Sequence, residues 1–188
     1  CTPAPVPSWS TSPGAPLRSV VPSLDTATEK PQSSSLSPSV AASFCCWLQV
    51  PSLSVNTYTE SEGASSQQQK LAATDGDSED LFGFSVAVSS DGTTALIGAP
   101  GDEGPNGPNA GSVYVFTESG GTWNQQQKLT TSDGDSRGLF GGSVAVSSDG
   151  TTALIGALED EDPSGALAGS AYVFTESEGT WSQQQKLA

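Results

Sequence analysis

The chain has 188 residues with 21 Asp or Glu against six Lys or Arg, a net charge of −15, and no histidine. Without histidine there is no Ser-His or Cys-His nucleophile pair and no His-bearing zinc site. So few basic residues also exclude nucleic acid as a partner, because phosphate binding needs clustered Lys and Arg.

Residues 1–40 contain 22 Pro, Ser or Thr. A segment so poor in large apolar groups cannot offset the entropy of ordering, so 1–53 is expected to be a disordered linker or stalk. Its one apolar run, 40–50, is too short to span a bilayer, which takes about 20 residues. The run reads as an apolar patch in the linker in preference to a signal-peptide core ending near Ser54, since a long Pro/Ser-rich lead is abnormal for a signal. A chain opening at Cys1 without Met is expected to be processed or incomplete. The three cysteines, Cys1, Cys45 and Cys46, all precede the next segment, which must hold together without disulfides.

From residue 54 the chain repeats itself. Residues 67–124 and 125–182 are identical at 43 of 58 aligned positions, and a partial copy precedes them, in which 54–61 aligns with 112–119 and 67–71 with 125–129. Self-similarity at a fixed period marks one supersecondary unit stacked on copies of itself, because a single unit cannot bury its apolar face alone.

Within a unit the apolar period is two. Phe84, Val86 and Val88 alternate with Ser85, Ala87 and Ser89, then Asp91-Gly92 supplies a two-residue hairpin turn, and 94–99 forms the second strand. A Gly/Pro-rich connection over 101–111 leads to a third strand at 112–119, Gly120-Gly121 to a tight turn, and 123–130 to a fourth. Four short antiparallel strands without a helix describe a blade, so the expected architecture is an all-β propeller. The count is a half blade at 54–72 and full blades at 82–130 and 140–188, which makes an incomplete propeller, since rings close with about four to eight blades.

Phe82-Gly83 and Gly98-Ala99-Pro100 resemble the landmarks of FG-GAP repeats, the blades of integrin α-subunit propellers and of many surface proteins. Phe140-Gly141 and Gly156-Ala157 repeat them, although Leu158 replaces the proline and Gly142 replaces Phe84. The resemblance implies an extracellular or cell-surface location and ligand contact through rim loops. It does not carry the family's calcium loop, because the equivalent turn at 89–93 is too short for the six or more oxygens that calcium takes.

In an antiparallel blade the 2–3 and 4–1 connections share one rim. That rim collects 12 of the 17 acidic residues of 67–188: Asp75, Asp77, Glu79, Asp80, Asp102, Glu103, Asp133, Asp135, Glu159, Asp160, Glu161 and Asp162. Asp75, Asp77, Glu79 and Asp80 alternate like a calcium loop, but the following copy offers only Asp133 and Asp135 with Arg137 opposing them. An Asx-type turn with solvated charges therefore outweighs a weak calcium site, and no other cofactor is expected. The recurring Trp123 and Trp181 are expected to pack between blades, in preference to stacking on a sugar, and Gly98 and Gly156 to admit another backbone.

The function expected from these features is non-catalytic interaction or adhesion. The rim would meet a protein or glycan ligand, and further blades of the same or another chain would be neighbours. The alternatives are an accessory module of a carbohydrate-active hydrolase or lyase, for which paired carboxylates would suffice, and a structural wall or matrix protein.

Overall fold

A computed structural model describes residues 18–23, 54–61, 64–161 and 165–187, and among these every regular element is a strand. Strands β1 (Arg18–Ser23), β2 (Ser54–Ser61) and β3 (Ala64–Leu71) form a three-stranded sheet in that order. The first full blade comprises β4 (Ser85–Val88), β5 (Thr94–Ala99), β6 (Ser112–Ser119) and β7 (Thr122–Leu129). The second comprises β8 (Phe140–Val146), β9 (Thr152–Ala157), β10 (Ser170–Ser177) and β11 (Thr180–Leu187). Neighbours within each sheet run antiparallel in chain order, and the sheets do not close into a ring.

The hydrophobic cores lie between sheets and not within them. Phe82, Tyr114, Phe116 and Trp123 of the first blade pack with Val55 and Leu71 of the half blade. Leu96, Val113, Val115 and Leu129, on the first blade's other side, pack with Phe140, Ile155, Tyr172, Phe174 and Trp181 of the second. Alternation along each strand thus divides its side chains between two different cores, which is why a unit cannot fold alone.

Three sequence expectations change in detail. The Asp91-Gly92 hairpin exists, but its turn is longer than two residues: Gly92 N–H bonds Ser89 O at 2.9 Å, Ser89 N–H bonds Thr94 O at 2.9 Å, and only Gly92 of the pair takes positive φ, at 72°. The Asp91 carboxylate stays inside the turn, accepting from the Ser89 hydroxyl and Thr93 N–H, and both bonds hold its carboxyl below the usual range. Phe84, expected on the apolar face, is 45% exposed, because it sits in a turn closed by its own N–H to Leu81 O before pairing begins at Ser85.

The third change concerns 1–53, of which only 18–23 lies among the described residues. Read from sequence as linker, Arg18–Ser23 is a strand that pairs with β2 in the same register that β5 keeps with β6. Ser23 faces Ser54 as Ala99 faces Ser112, and Val20 faces Thr57 as Leu96 faces Val115. The half blade begins at a strand-three equivalent, whose open edge presents unpaired N–H and C=O groups, and a short extended segment satisfies them.

Candidate functional site

Asp102 and Asp160 stand at equivalent places in the 2–3 connections, and both are buried, Asp160 completely. The Lys186 ammonium lies 2.9 Å from Asp160 Oδ2, the Tyr172 hydroxyl donates to the same oxygen at 2.7 Å, and Asp135 N–H donates to Oδ1 at 3.2 Å. In the first blade Lys128 reaches Asp102 at 2.7 Å and Asp75 at 2.8 Å, and the Tyr114 hydroxyl donates to Asp102 at 3.2 Å. Each ammonium also lies over its tyrosine ring, at 5.3 Å for Lys128 and 5.6 Å for Lys186. Strand three thus supplies the tyrosine, strand four the lysine and the 2–3 connection the aspartate, and the three lock the loop to the blade.

The energetics fit an internal lock. Burial pushes the Asp160 carboxyl up, but Lys186, with the neighbouring hydroxyls, more than reverses it and leaves the group below the usual carboxylate range. Asp75 behaves alike through Lys128. Burial works against both ammonium groups too, yet the aspartates hold both above the ordinary lysine value. Sequence placed Asp102 and Asp160 among ligand-facing loops; the geometry instead turns them inward, because the one lysine of strand four lies beneath them.

The remaining acids sort by exposure. Asp77, Glu79, Glu103, Glu159 and Glu161 are exposed, while Asp162 lies outside the described residues. In the loop proposed from sequence for calcium, Asp75 is engaged by Lys128, and the buried Asp80 accepts the Asp77 N–H at 2.5 Å. Burial raises the Asp80 carboxyl. In the next copy Gly138 replaces Asp80, and Asp160 takes over the capping bond through Asp135 N–H, while Asp135 accepts from Glu161 N–H at 2.9 Å. The first loop is therefore closed by its own carboxylate, Asp80, and the second by Asp160 of the 2–3 connection. Among the described residues no three or more His, Cys, Asp or Glu side chains are grouped to hold a metal ion.

The motif residues serve the interface between sheets. Phe82 meets Tyr114 edge-on at 5.4 Å and Phe140 meets Tyr172 at 5.5 Å. A methyl on Gly98 would fall 2.0 Å from the Gly141 carbonyl oxygen, so the close backbone approach expected there is present. On Gly156 the same methyl would meet the Ser143 hydroxyl at 2.4 Å, a side chain of its own blade. Ala99, Pro100 and Ala157 are buried, whereas Leu158 is 57% exposed. Trp123 and Trp181 are buried between sheets, at 4% and 3% exposure, and present no stacking surface to a sugar.

Sequence reasoning overlooked the glutamine triplet. The third glutamine of each triplet reaches the next sheet and holds both backbone groups of its tryptophan. Gln69 Oε1 accepts from Trp123 N–H at 2.9 Å and Nε2 donates to Trp123 O at 2.8 Å; Gln127 does the same to Trp181 at 2.8 and 2.9 Å. The first glutamine reaches backward, Gln125 accepting from Thr74 N–H at 3.0 Å and Gln183 from Ser132 N–H at 3.2 Å. The middle one is skipped in the pairing register, a bulge present at the same offset in all three units. The signal was there: three identical triplets at 67, 125 and 183, including one in the otherwise degenerate half blade.

A search of curated proteins returned no match. Among solved structures the chain is similar to TolB from Acinetobacter baumannii, at 14% identity and a TM-score of 0.37, over 70% of this chain and 26% of that one. The family model for the FG-GAP repeat matches residues 65–116 and 123–174, more than half of the sequence. Each match starts in strand four of one sheet and ends in strand three of the next, so the repeat straddles the inter-sheet contact that Phe82, Phe140 and the glutamines build. The chain belongs to the FG-GAP repeat family.

Proposed function

We propose that this propeller-type module is a non-catalytic, extracellular interaction unit that binds a protein or glycan ligand through its acidic rim. One observation carries the reading. Of the 15 positions at which the two full copies differ, 12 lie in the connections 72–84 and 100–111 or their equivalents, on the rim that also displays Asp77, Glu79, Glu103, Glu159 and Glu161. Strands and inter-sheet faces are constrained by packing and by the glutamine bonds. The rim loops vary around their buried aspartates, as expected where a rigid scaffold presents adaptable contacts.

The exposed carboxylates favour cationic partners, either basic protein surfaces or, weakly, calcium. An ion entering the 75–80 loop must displace Lys128 from Asp75. Binding to cell-surface extracts and to a glycan panel tests the proposal, using the wild type and a triple variant, Asp77→Asn, Glu79→Gln and Glu103→Gln. The variant should lose binding at unchanged melting temperature. Cleavage of a polysaccharide by the wild type that the variant loses would overturn the non-catalytic reading in favour of a carbohydrate-active enzyme. Binding unaffected by the three substitutions would remove the ligand from this rim.

A further inference from the structure

Three connections in this molecule join a strand two to a strand three, and one of them differs in length. Residues 100–111 and 158–169 take 12 residues each, and each is drawn together by a backbone bond to its buried aspartate, Gly111 N–H to Asp102 O and Gly169 N–H to Asp160 O, both at 3.0 Å. Between β1 and β2 there are 30 residues, 24–53, although Ser23 and Ser54 are register partners. A connection of that length can extend to roughly 100 Å, so its length does not tie β1 to the β2 of its own chain.

The backbone of β1 suits pairing on one edge only. In the first blade the carbonyls of Thr94 and Gly98 face the strand-one side, accepting from Ser89 N–H at 2.9 Å and Gly83 N–H at 3.0 Å, while the Thr93 carbonyl faces strand three and accepts from Glu118 N–H at 2.8 Å. Register places Arg18 and Pro22 at the Thr94 and Gly98 positions, so the backbone of Pro22 faces away from β2. A proline there takes no donor from the ladder with β2 and removes one from the outer edge, which ends the sheet at β1. The acceptor edge is held from behind. Val55 and Leu71 are buried against the first blade, and Gln69 holds the Trp123 backbone, so β2 is fixed by contacts that β1 does not make.

We propose that β1 is an exchangeable strand, and that two copies of this chain associate by each donating Arg18–Ser23 to the other's β2. The donated strand makes the same backbone bonds in its new place. The exchange is reciprocal, so it closes as a two-fold dimer and goes no further. With the contacts conserved, concentration decides between the two forms. A tethered strand competes at an effective concentration of about 1 mM, so the exchanged dimer belongs to crowded conditions and the self-paired monomer to dilute solution.

The test uses the full chain with Cys1→Ser, Cys45→Ser and Cys46→Ser, carrying either Arg18→Cys or Thr59→Cys, a facing pair in the β1–β2 register. Neither form can close a β1–β2 disulfide within itself. Mixed at about 1 mM and briefly oxidised, the two should give a dimer linked from position 18 of one copy to position 59 of the other, and a hundredfold dilution should lower its yield by more than about ten-fold. Deleting residues 30–47 from both forms leaves the 12 residues that suffice in the full blades. It should lower the yield about four-fold below saturation, because a shorter tether favours the chain's own strand. The double variant, Arg18→Cys with Thr59→Cys, should close internally in dilute solution. Failure of that closure overturns the proposal, since β1 would not then occupy β2. So does internal closure without any cross-linked dimer in the concentrated mixture, a dimer joined mainly through like positions, or a yield indifferent to the deletion.

Discussion

The two full blades carry the same strand, TALIGA, at 94–99 and 152–157, yet all six residues are buried in the first and only the alternate ones, Ala153, Ile155 and Ala157, in the second. Nothing within the strand differs. The difference lies in what stands beside it: the first blade is covered on both sides, the second on one. A blade in this family is therefore a two-sided element, and the burial of any residue depends on which neighbour its face meets.

The sharpest way to break the comparison is to delete the same side chain in both blades. Leu96→Ala should destabilise the protein by about 2–5 kcal/mol, as expected for a buried leucine that leaves a cavity, and Leu154→Ala by less than about 1 kcal/mol. Urea unfolding measures both, and equal costs would mean that the second blade's face is covered. Glycine to alanine comes next. Gly98→Ala drives a methyl into the Gly141 carbonyl and should cost about 3 kcal/mol, whereas at Gly156 rotation of Ser143 should hold the cost near 1 kcal/mol.

The aspartate locks differ more subtly. Asp102 shares its lysine with Asp75, while among the described residues Asp160 is the only carboxylate within ion-pair distance of Lys186. Asp160→Asn should therefore cost about 1–3 kcal/mol, and Asp102→Asn less, because Asp75 keeps Lys128 paired. The same locks set the pH profile. The lowered Asp75 and Asp160 carboxyls contribute stability that is present above the unfolded value of about 3.9 and is lost as pH falls through their folded values. The raised Lys128 and Lys186 contribute stability that is complete below about 10.4 and is lost as pH rises through theirs. Asp80, raised by burial, acts with the opposite sign and softens the acid limb. Thermal melts across pH should show a plateau flanked by an acid and an alkaline decline, and Asp160→Asn should flatten both edges. The smallest effect is expected at Phe84. Its turn position is already glycine in the second copy, so Phe84→Ser should lie within about 0.5 kcal/mol of wild type by the same urea titration.

Much of the fold was legible in residue order. The 58-residue period, the alternation around Val86 and Val88, and the placement of glycines located ten strands between 54 and 187, because period two and turn chemistry are local properties of the chain. Trp123, Trp181 and Gly98 were readable as inter-blade contacts for a similar reason: a large aromatic and a missing side chain each have few uses in a strand. The glutamine triplets were visible but mute, since polar side chains at a strand's end reveal nothing about a partner until the neighbouring backbone is in place.

Sequence by itself determined that the chain is a stack of four-stranded repeats, because hydrophobic period and turn residues act within a few positions of one another. Tertiary structure alone decided which acids are available on the rim. Asp102 and Glu103 are neighbours in the chain, yet one is buried against Lys128 and the other is exposed. It alone recruited Arg18–Ser23 as a strand and left Leu154 uncovered where Leu96 is sealed. Burial, pairing of a distant strand and the reach of an ammonium group are properties of what approaches through space, and a one-dimensional period carries no record of that.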